Sequence, residues 1–529
     1  MNGAESLLRT AEAHEVDVCF ANPGTTELPL VSALDRVGGV RPVLGLHEAV
    51  CVGAADGYGR MTGRPALTLV HLGPGLADGL ACLHNARRAG TPIVALVGDQ
   101  ATWHLAADAP LTTDLEAVAA AFSTWTGRST SAAGMAADLA EAVERSRRGP
   151  VCLILPADLA DEQVEAGDST RPVLAPDSAA GASGSTPVDE ERVAAAADAL
   201  RGAGPVVLFL GGRALSRPGL LAADAIARAT GCRLVHETFP ARVERGGGLP
   251  APMRLPHVYA DAAATLDGVE TVILVGAREP VSSFGYPGLS SSLVPADAAV
   301  QSLAGAPQDS SDDAVNALER LAERVAGREG PPPARGTVRD RQLTVPSGVL
   351  TPETLSVTVA AGQPEGAIVV DESLTAGFDY HQAAIPAPEH TCMVAQVGGA
   401  IGHGLPLATG AAIACPDRPV ITLQADGSAL YTIQALWTQA REDLDVTTVL
   451  CNNQSYEIVK MEMKNADRPF GNASRSLLSL DRPEVGWSAL AEGLGVPSIR
   501  VTTAEELAGA LKAALSESGP HFIEAVIRQ

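Results

Sequence analysis

"LQADGSALYTIQALWTQAREDLDVTTVLCNNQSYEI", Leu423 to Ile458, sets two polar strand ends on either side of one helix-length segment. It leaves one apolar run, "PVITLQAD", crosses an amphipathic stretch, and ends a second apolar run, "TTVLCNN", in two asparagines. Strand, helix and strand in that order predict a parallel βαβ unit whose two strands end at the same edge of a sheet. Asp426 and Asn453 stand at those ends. A carboxylate and a carboxamide there supply two hard oxygens. Gly427 lets a ligand come close to the backbone. That is a half-site for Mg²⁺, which takes one or two protein side chains and fills its octahedron with phosphate oxygens and water. A turn aspartate and a loop asparagine are the alternative reading of the same pair.

The pattern extends outward. "VDVCF", "ALTLVHL", "PIVALVG" and "VCLILP" precede it in a first block; "PVVLFLGG", "CRLVHE" and "TVILVGA" form a second; "AIVVDES", "PVITLQAD", "TTVLCNN" and "HFIEAVI" a third. Runs this uniformly apolar, alternating with alanine-rich helical stretches, suit parallel sheets covered on both faces. The expected fold is α/β, with three doubly wound parallel-sheet domains at 1–165, 190–328 and 345–529. The stretches near 165–191 and 326–348 are rich in Pro, Gly, Ser and charge and read as linkers. Ligands in such sheets sit beyond the carboxyl ends of the strands.

Bulk properties narrow the function. The 529 residues carry a formal charge of −24 and no long basic run, which argues against nucleic acid and anionic membranes as partners. The eight cysteines are scattered, with no C-x-x-C pair, and read as buried reduced thiols. The N-terminus lacks the apolar core of a signal peptide, and no uninterrupted apolar segment is long enough for a membrane span. A cytoplasmic protein is the expectation.

Asp-Gly, a helix, a strand and then Asn-Asn resembles the signature of thiamine diphosphate (ThDP) enzymes, in particular the 2-oxo acid decarboxylase and acetolactate synthase family. The resemblance spans nearly the whole chain and is weakest in the second block. It implies pyrimidine, middle and diphosphate domains, with Mg²⁺ held by Asp426, Asn453 and the carbonyl of Ser455. Gly427 and Ser428 join these at the diphosphate. The family usually has Gly-Asp-Gly; here Ala425 replaces the first glycine. In "DESLTAG", Ser373 and Thr375 offer hydroxyls to phosphate oxygens. In "GGAIGHGLP", Gly399 and Ile401 match the loop and apolar wedge beneath the bent cofactor, although the same glycines also suit close helix packing.

ThDP chemistry needs a glutamate against the aminopyrimidine, in a dry pocket that raises its pKa. "LGLHEAVCVGAADGYGRMTGRPA" resembles the family's block for it, which makes Glu48 that acid; a helix-start glutamate facing the macrodipole is the plainer reading. In "ANPGTTELP", Thr25 is a donor to the substrate carboxylate or a helix N-cap. In "LVHLGPGLADG", His71 matches the proton-transferring histidine of benzoylformate decarboxylase-like relatives, against the bland reading of a structural strand-end histidine. In the family the pyrimidine domain of one subunit faces the diphosphate domain of another. The resemblance therefore implies a homodimer at least, with many relatives tetrameric.

The expected activity is ThDP- and Mg²⁺-dependent decarboxylation of a small-molecule 2-oxo acid, carboligation of the resulting enamine to a second carbonyl, or both. Two alternatives stand beside it. One is a ThDP lyase acting on an oxalyl-CoA or 2-hydroxyacyl-CoA, for which Arg242 and Arg245 give thin support. The other is a catalytically silent ThDP-fold subunit, favoured by Ala425. FAD in the middle domain is left open but unsupported, since only Gly211-Gly212 follows its first strand.

Overall fold

The computed structural model describes residues 1–164, 188–309, 313–327 and 343–528. Both linker stretches lie largely outside the described residues. The described chain divides into two compact units: 1–164, 343–384 and 395–528 form one, and 188–309, 313–327 and 385–394 the other.

The first block builds β1 (Val18–Ala21), β2 (Arg41–Leu44), β3 (Ala66–His71), β4 (Ile93–Asp99), β5 (Trp125–Arg128) and β6 (Val151–Pro156). They form a parallel sheet in the order β2-β1-β3-β4-β6-β5. β4 and β6 are buried along their whole length, which is why their sequences are unbroken apolar runs. The second unit holds β7 (Val206–Leu210), β8 (Arg233–His236), β9 (Val243–Arg245), β10 (Met253–Arg254), β11 (Thr271–Val275) and β12 (Ala299–Ala304). Its parallel sheet runs β10-β8-β7-β11-β12.

The third block supplies β13 (Ile368–Glu372), β14 (His390–Val394), β15 (Val420–Ala425), β16 (Val446–Asn452), β17 (Ser498–Val501) and β18 (His521–Val526). In the first unit β17, β18, β16, β15 and β13 pair in parallel in that order. β14 pairs antiparallel with β9, so residues 385–394 go with the middle block although their sequence neighbours do not. The α/β class with parallel sheets is the fold of this chain.

One seam fixes the two sheets of the first unit. Helix Glu48–Thr62 packs along helix Gly404–Ala414, and small residues let the backbones approach. A Cβ on Gly410 would lie 1.8 Å from the Ala54 carbonyl oxygen, and one on Gly57 2.0 Å from that of Leu407. Within the seam, Asp56 accepts from Arg60 at 2.9 and 2.6 Å and lies 2.7 Å from His403 Nε2, all three buried. Burial opposes the Asp56 charge, yet Arg60 and His403 hold its carboxyl far below the usual range. Six of the eight cysteines are buried and all are free. No helix among the described residues is long and apolar enough to cross a membrane.

Candidate active site

β15 ends at Ala425 and β16 at Asn452, in register side by side, so the turns that follow share one edge of the sheet. Asp426 is buried there. Its Oδ2 accepts the N–H groups of Asn453 at 3.1 Å and Gln454 at 2.6 Å, and Oδ1 accepts that of Gly427 at 2.7 Å. Burial pushes its carboxyl up to about 6, against the pull of those backbone donors. No cationic side chain pairs with it among the described residues, so its negative charge faces the cleft uncompensated.

Residues 373–376, 425–428, 451, 453 and 455–458 line this cleft. It thus brings together Ser373, Thr375, Asp426, Gly427, Ser428, Asn453 and Ser455. Asn453 Oδ1 accepts the Ser455 N–H at 3.0 Å. Ser373 is committed inward, its hydroxyl donating to Asp371 Oδ1 at 2.5 Å. Ser428 likewise donates to the Ala425 carbonyl at 3.1 Å. Ala425 sits at φ −72°, ψ 145°, an extended backbone that alanine adopts without strain, so losing the usual glycine costs the turn nothing. Tyr456 and Glu457, neither of them singled out from the sequence, also line the cleft; Glu457 lies 3.3 Å from Lys460 Nζ.

Gly399 and Ile401 lie on a separate loop of the same unit. Gly399 takes φ +88°, the left-handed region glycine favours, and Ile401 is half-buried. The loop is held by Asn85, fully buried, from helix Leu72–Ala89. Asn85 Nδ2 donates to the Ala400 carbonyl at 2.8 Å, and Oδ1 accepts the N–H groups of Gly398 at 3.1 Å and Ala400 at 3.2 Å. Glu372, also buried, accepts from His403 N–H, Gly404 N–H and the Gln424 side chain at 3.1, 2.8 and 2.8 Å. Neither Asn85 nor Glu372 was found from the sequence: each contact spans dozens to hundreds of positions and leaves no local spacing to read.

The second cluster lies at the carboxyl ends of β2 and β3, and none of its residues lines the Asp426 cleft within this chain. Glu48 opens its helix and is buried; burial pushes its carboxyl up, Asp78 adds to this, and its own backbone N–H, His47 and His71 oppose it. A Cβ on Gly75 would stand 2.7 Å from Glu48 Oε1 and 3.3 Å from His71 Cβ, so a bare residue separates the two. His71 Nδ1 lies 2.8 Å from Glu27 Oε2, a buried carboxylate that sequence reading missed. Glu27 follows Gly24 at the spacing of a capping box, which disguises it as helix punctuation. Thr25 is exposed and its hydroxyl makes no hydrogen bond among the described residues; Gly24, not Thr25, caps the turn.

In the second unit, the Gly211–Gly212 turn packs against its own neighbours: a Cβ on Gly211 would lie 2.8 Å from the Gly276 carbonyl oxygen, and one on Gly212 2.7 Å from Pro307 Cγ. Arg242 is ion-paired with Glu244 at 3.1 Å and Arg245 is buried, so these two form no exposed basic patch.

Comparison with known proteins names the class. Residues 1–120 match the thiamine pyrophosphate enzyme N-terminal TPP binding domain, and 377–525 the C-terminal TPP binding domain. The chain belongs to the thiamine pyrophosphate enzyme family. It is 48% identical over 100% of its length, and 99% of the relative's, to a Mycobacterium tuberculosis protein described as "Putative acetolactate synthase large subunit IlvX". It is 30% identical to the benzoylformate decarboxylase of Pseudomonas aeruginosa, covering 97% of this chain and 96% of the other. The solved ThDP-dependent 4-hydroxybenzoylformate decarboxylase of Rhodococcus jostii RHA1 superposes with a TM-score of 0.82 at 25% identity, covering 100% and 99% of the two chains. The protein is a ThDP-dependent enzyme of the acetolactate synthase/benzoylformate decarboxylase type.

Proposed function

We propose that this enzyme decarboxylates a 2-oxo acid, with or without joining the remaining carbon fragment to a second carbonyl, using ThDP and Mg²⁺. The observation that carries it is Asp426: a buried carboxylate with no cationic partner, beside Asn453 and Ser455, in a cleft edged by Ser373 and Thr375. That donor set suits a small hard cation carrying a diphosphate. Asp426, Asn453 and the Ser455 carbonyl would hold the metal, and the Ile401 loop would support the bent cofactor. When bound, the cofactor supplies a carbon nucleophile and an electron sink.

The protein's own groups do the rest. Glu48, buried with a raised pKa, would hold the proton that it shares with the aminopyrimidine nitrogen once the cofactor is bound. Thr25 donates to the substrate carboxylate, and His71 moves the proton that replaces CO₂. Glu48 and His71 do not line the Asp426 cleft of their own chain, which supports a site completed by a second copy. We place the enzyme in the cytoplasm as a homodimer or homotetramer. The unstrained Ala425 removes the feature that favoured a silent subunit, and the packed or paired Arg242 and Arg245 leave the acyl-CoA reading without its support.

A panel of 2-oxo acids, including pyruvate and benzoylformate, alone and with aldehydes, tests this when CO₂ and organic product are followed together. CO₂ release with aldehyde or hydroxyketone formation is expected. ThDP binding with no turnover of any 2-oxo acid would overturn the reading.

A further inference from the structure

Beneath His71 lies a carboxylate to which the function proposed above gives no role. Glu27 is fully buried. Its Oε2 accepts the Gly24 N–H at 2.8 Å and faces His71 Nδ1 at 2.8 Å, while Oε1 accepts the Thr26 hydroxyl at 2.6 Å. Two positions are kept bare for this pair. A Cβ on Gly98 would lie 1.5 Å from Glu27 Oε1, and one on Gly24 2.2 Å from His71 Nδ1. Both carboxylate oxygens already receive donors, so Glu27 meets the imidazole as an acceptor and Nδ1 carries the hydrogen. Thr26 Oγ1, 3.2 Å from Nδ1, spends its own proton on Glu27 and can only accept from the ring. His71 Nε2 has no partner among the described residues, and the ring is partly exposed. The backbone near Gly75 places it beside Glu48.

We propose that Glu27 is a positioning residue that fixes His71 in the Nδ1–H tautomer, so that Nε2 is the atom that delivers and recovers the proton in 2-oxo acid decarboxylation. This rests on the function proposed above. The electron pair left by departing CO₂ takes the proton from Nε2–H of the imidazolium: a C–H bond forms, the N–H bond breaks, and the ring is left neutral with Nδ1–H still on Glu27. Solvent returns a proton to Nε2. Without the buried acceptor, the hydrogen of a neutral ring is free to sit on Nε2 and the lone pair to turn inward, away from the substrate.

Two measurements decide it. Full-length protein labelled with ¹⁵N-histidine is examined by solid-state NMR, the His71 signals being assigned by their loss in His71→Ala. The wild type is expected to show a protonated Nδ1 and a bare Nε2 in the neutral ring; Glu27→Met, similar in volume but with no acceptor, should show the hydrogen redistributed, and Glu27→Gln an intermediate state. A wild-type ring with its hydrogen on Nε2 overturns the proposal whether or not the variants fold. On the 2-oxo acid turned over fastest, Glu27→Met should lower kcat on the order of 100-fold with KM nearly unchanged. It should cause no further loss in a His71→Ala background; additive losses would overturn the proposal. An enzyme that turns over no 2-oxo acid refutes the functional reading, while the NMR result still decides Glu27.

Discussion

Asp56 Oδ2 and His403 Nε2 lie 2.7 Å apart in the seam between helices Glu48–Thr62 and Gly404–Ala414, both buried. Burial works against the His403 charge, but Cys82 and Asp56 outweigh it and push the imidazole up to about 9. A histidine whose folded pKa is raised contributes stability that is complete below its unfolded value, about 6.5, and lost as pH rises through the folded one. Thermal melts of the apoprotein should therefore fall between about pH 6.5 and 9. Asp56→Asn should remove that slope and cost about 3–5 kcal/mol at neutral pH, because it takes the negative charge from a buried site shared with Arg60 and His403. A wild-type melting temperature flat across this range would contradict the ion pair.

Glu48→Gln keeps the shape of the residue and removes its proton-sharing carboxyl. Turnover of a 2-oxo acid should drop roughly 10²–10⁴-fold. Retention of ThDP through gel filtration, followed by thiochrome fluorescence, should stay near wild type. Unchanged turnover would exclude Glu48 as the activating acid.

Asn85→Ala leaves main-chain groups of Gly398 and Ala400 without their partner. Losing buried hydrogen bonds of this kind costs about 1–3 kcal/mol. If the loop serves the cofactor, titration calorimetry should show ThDP affinity weakened by at least about tenfold, since 1.4 kcal/mol is one decade. Weaker folding with unaltered affinity would make Asn85 purely structural.

A site shared between copies predicts complementation. Glu48→Gln and Asp426→Ala should each be inactive alone. Co-expressed in equal amounts, they should form mixed dimers with one intact site, giving roughly a quarter of wild-type activity if pairing is random. No recovery, with mixed dimers confirmed by tandem tags, would mean that each chain builds its own site.

Much of this was readable in the sequence, for identifiable reasons. β4, β6, β15 and β16 are buried on both faces, so their apolar runs announce themselves. The βαβ unit placed Asp426 and Asn453 at one sheet edge because strand ends in register follow from parallel pairing. β9 and β10 escaped notice because they have three and two residues. The departure of residues 385–394 to the second unit depends on β9, a partner far away in sequence. Glu27 stayed hidden because a capping glutamate and a buried carboxylate that faces a histidine have the same local spacing, and only the strand ends of β3 and β4 tell them apart.

The hold of Asn85 on the 398–400 loop uses only backbone atoms of that loop. These contacts hold the main chain at 398–400 without using the side chain at position 401. Under the function proposed above, exchanging Ile401 for a smaller or larger residue would alter the support beneath the cofactor while Asn85 still grips the neighbouring main chain, which separates the shape of the loop from the fit it offers.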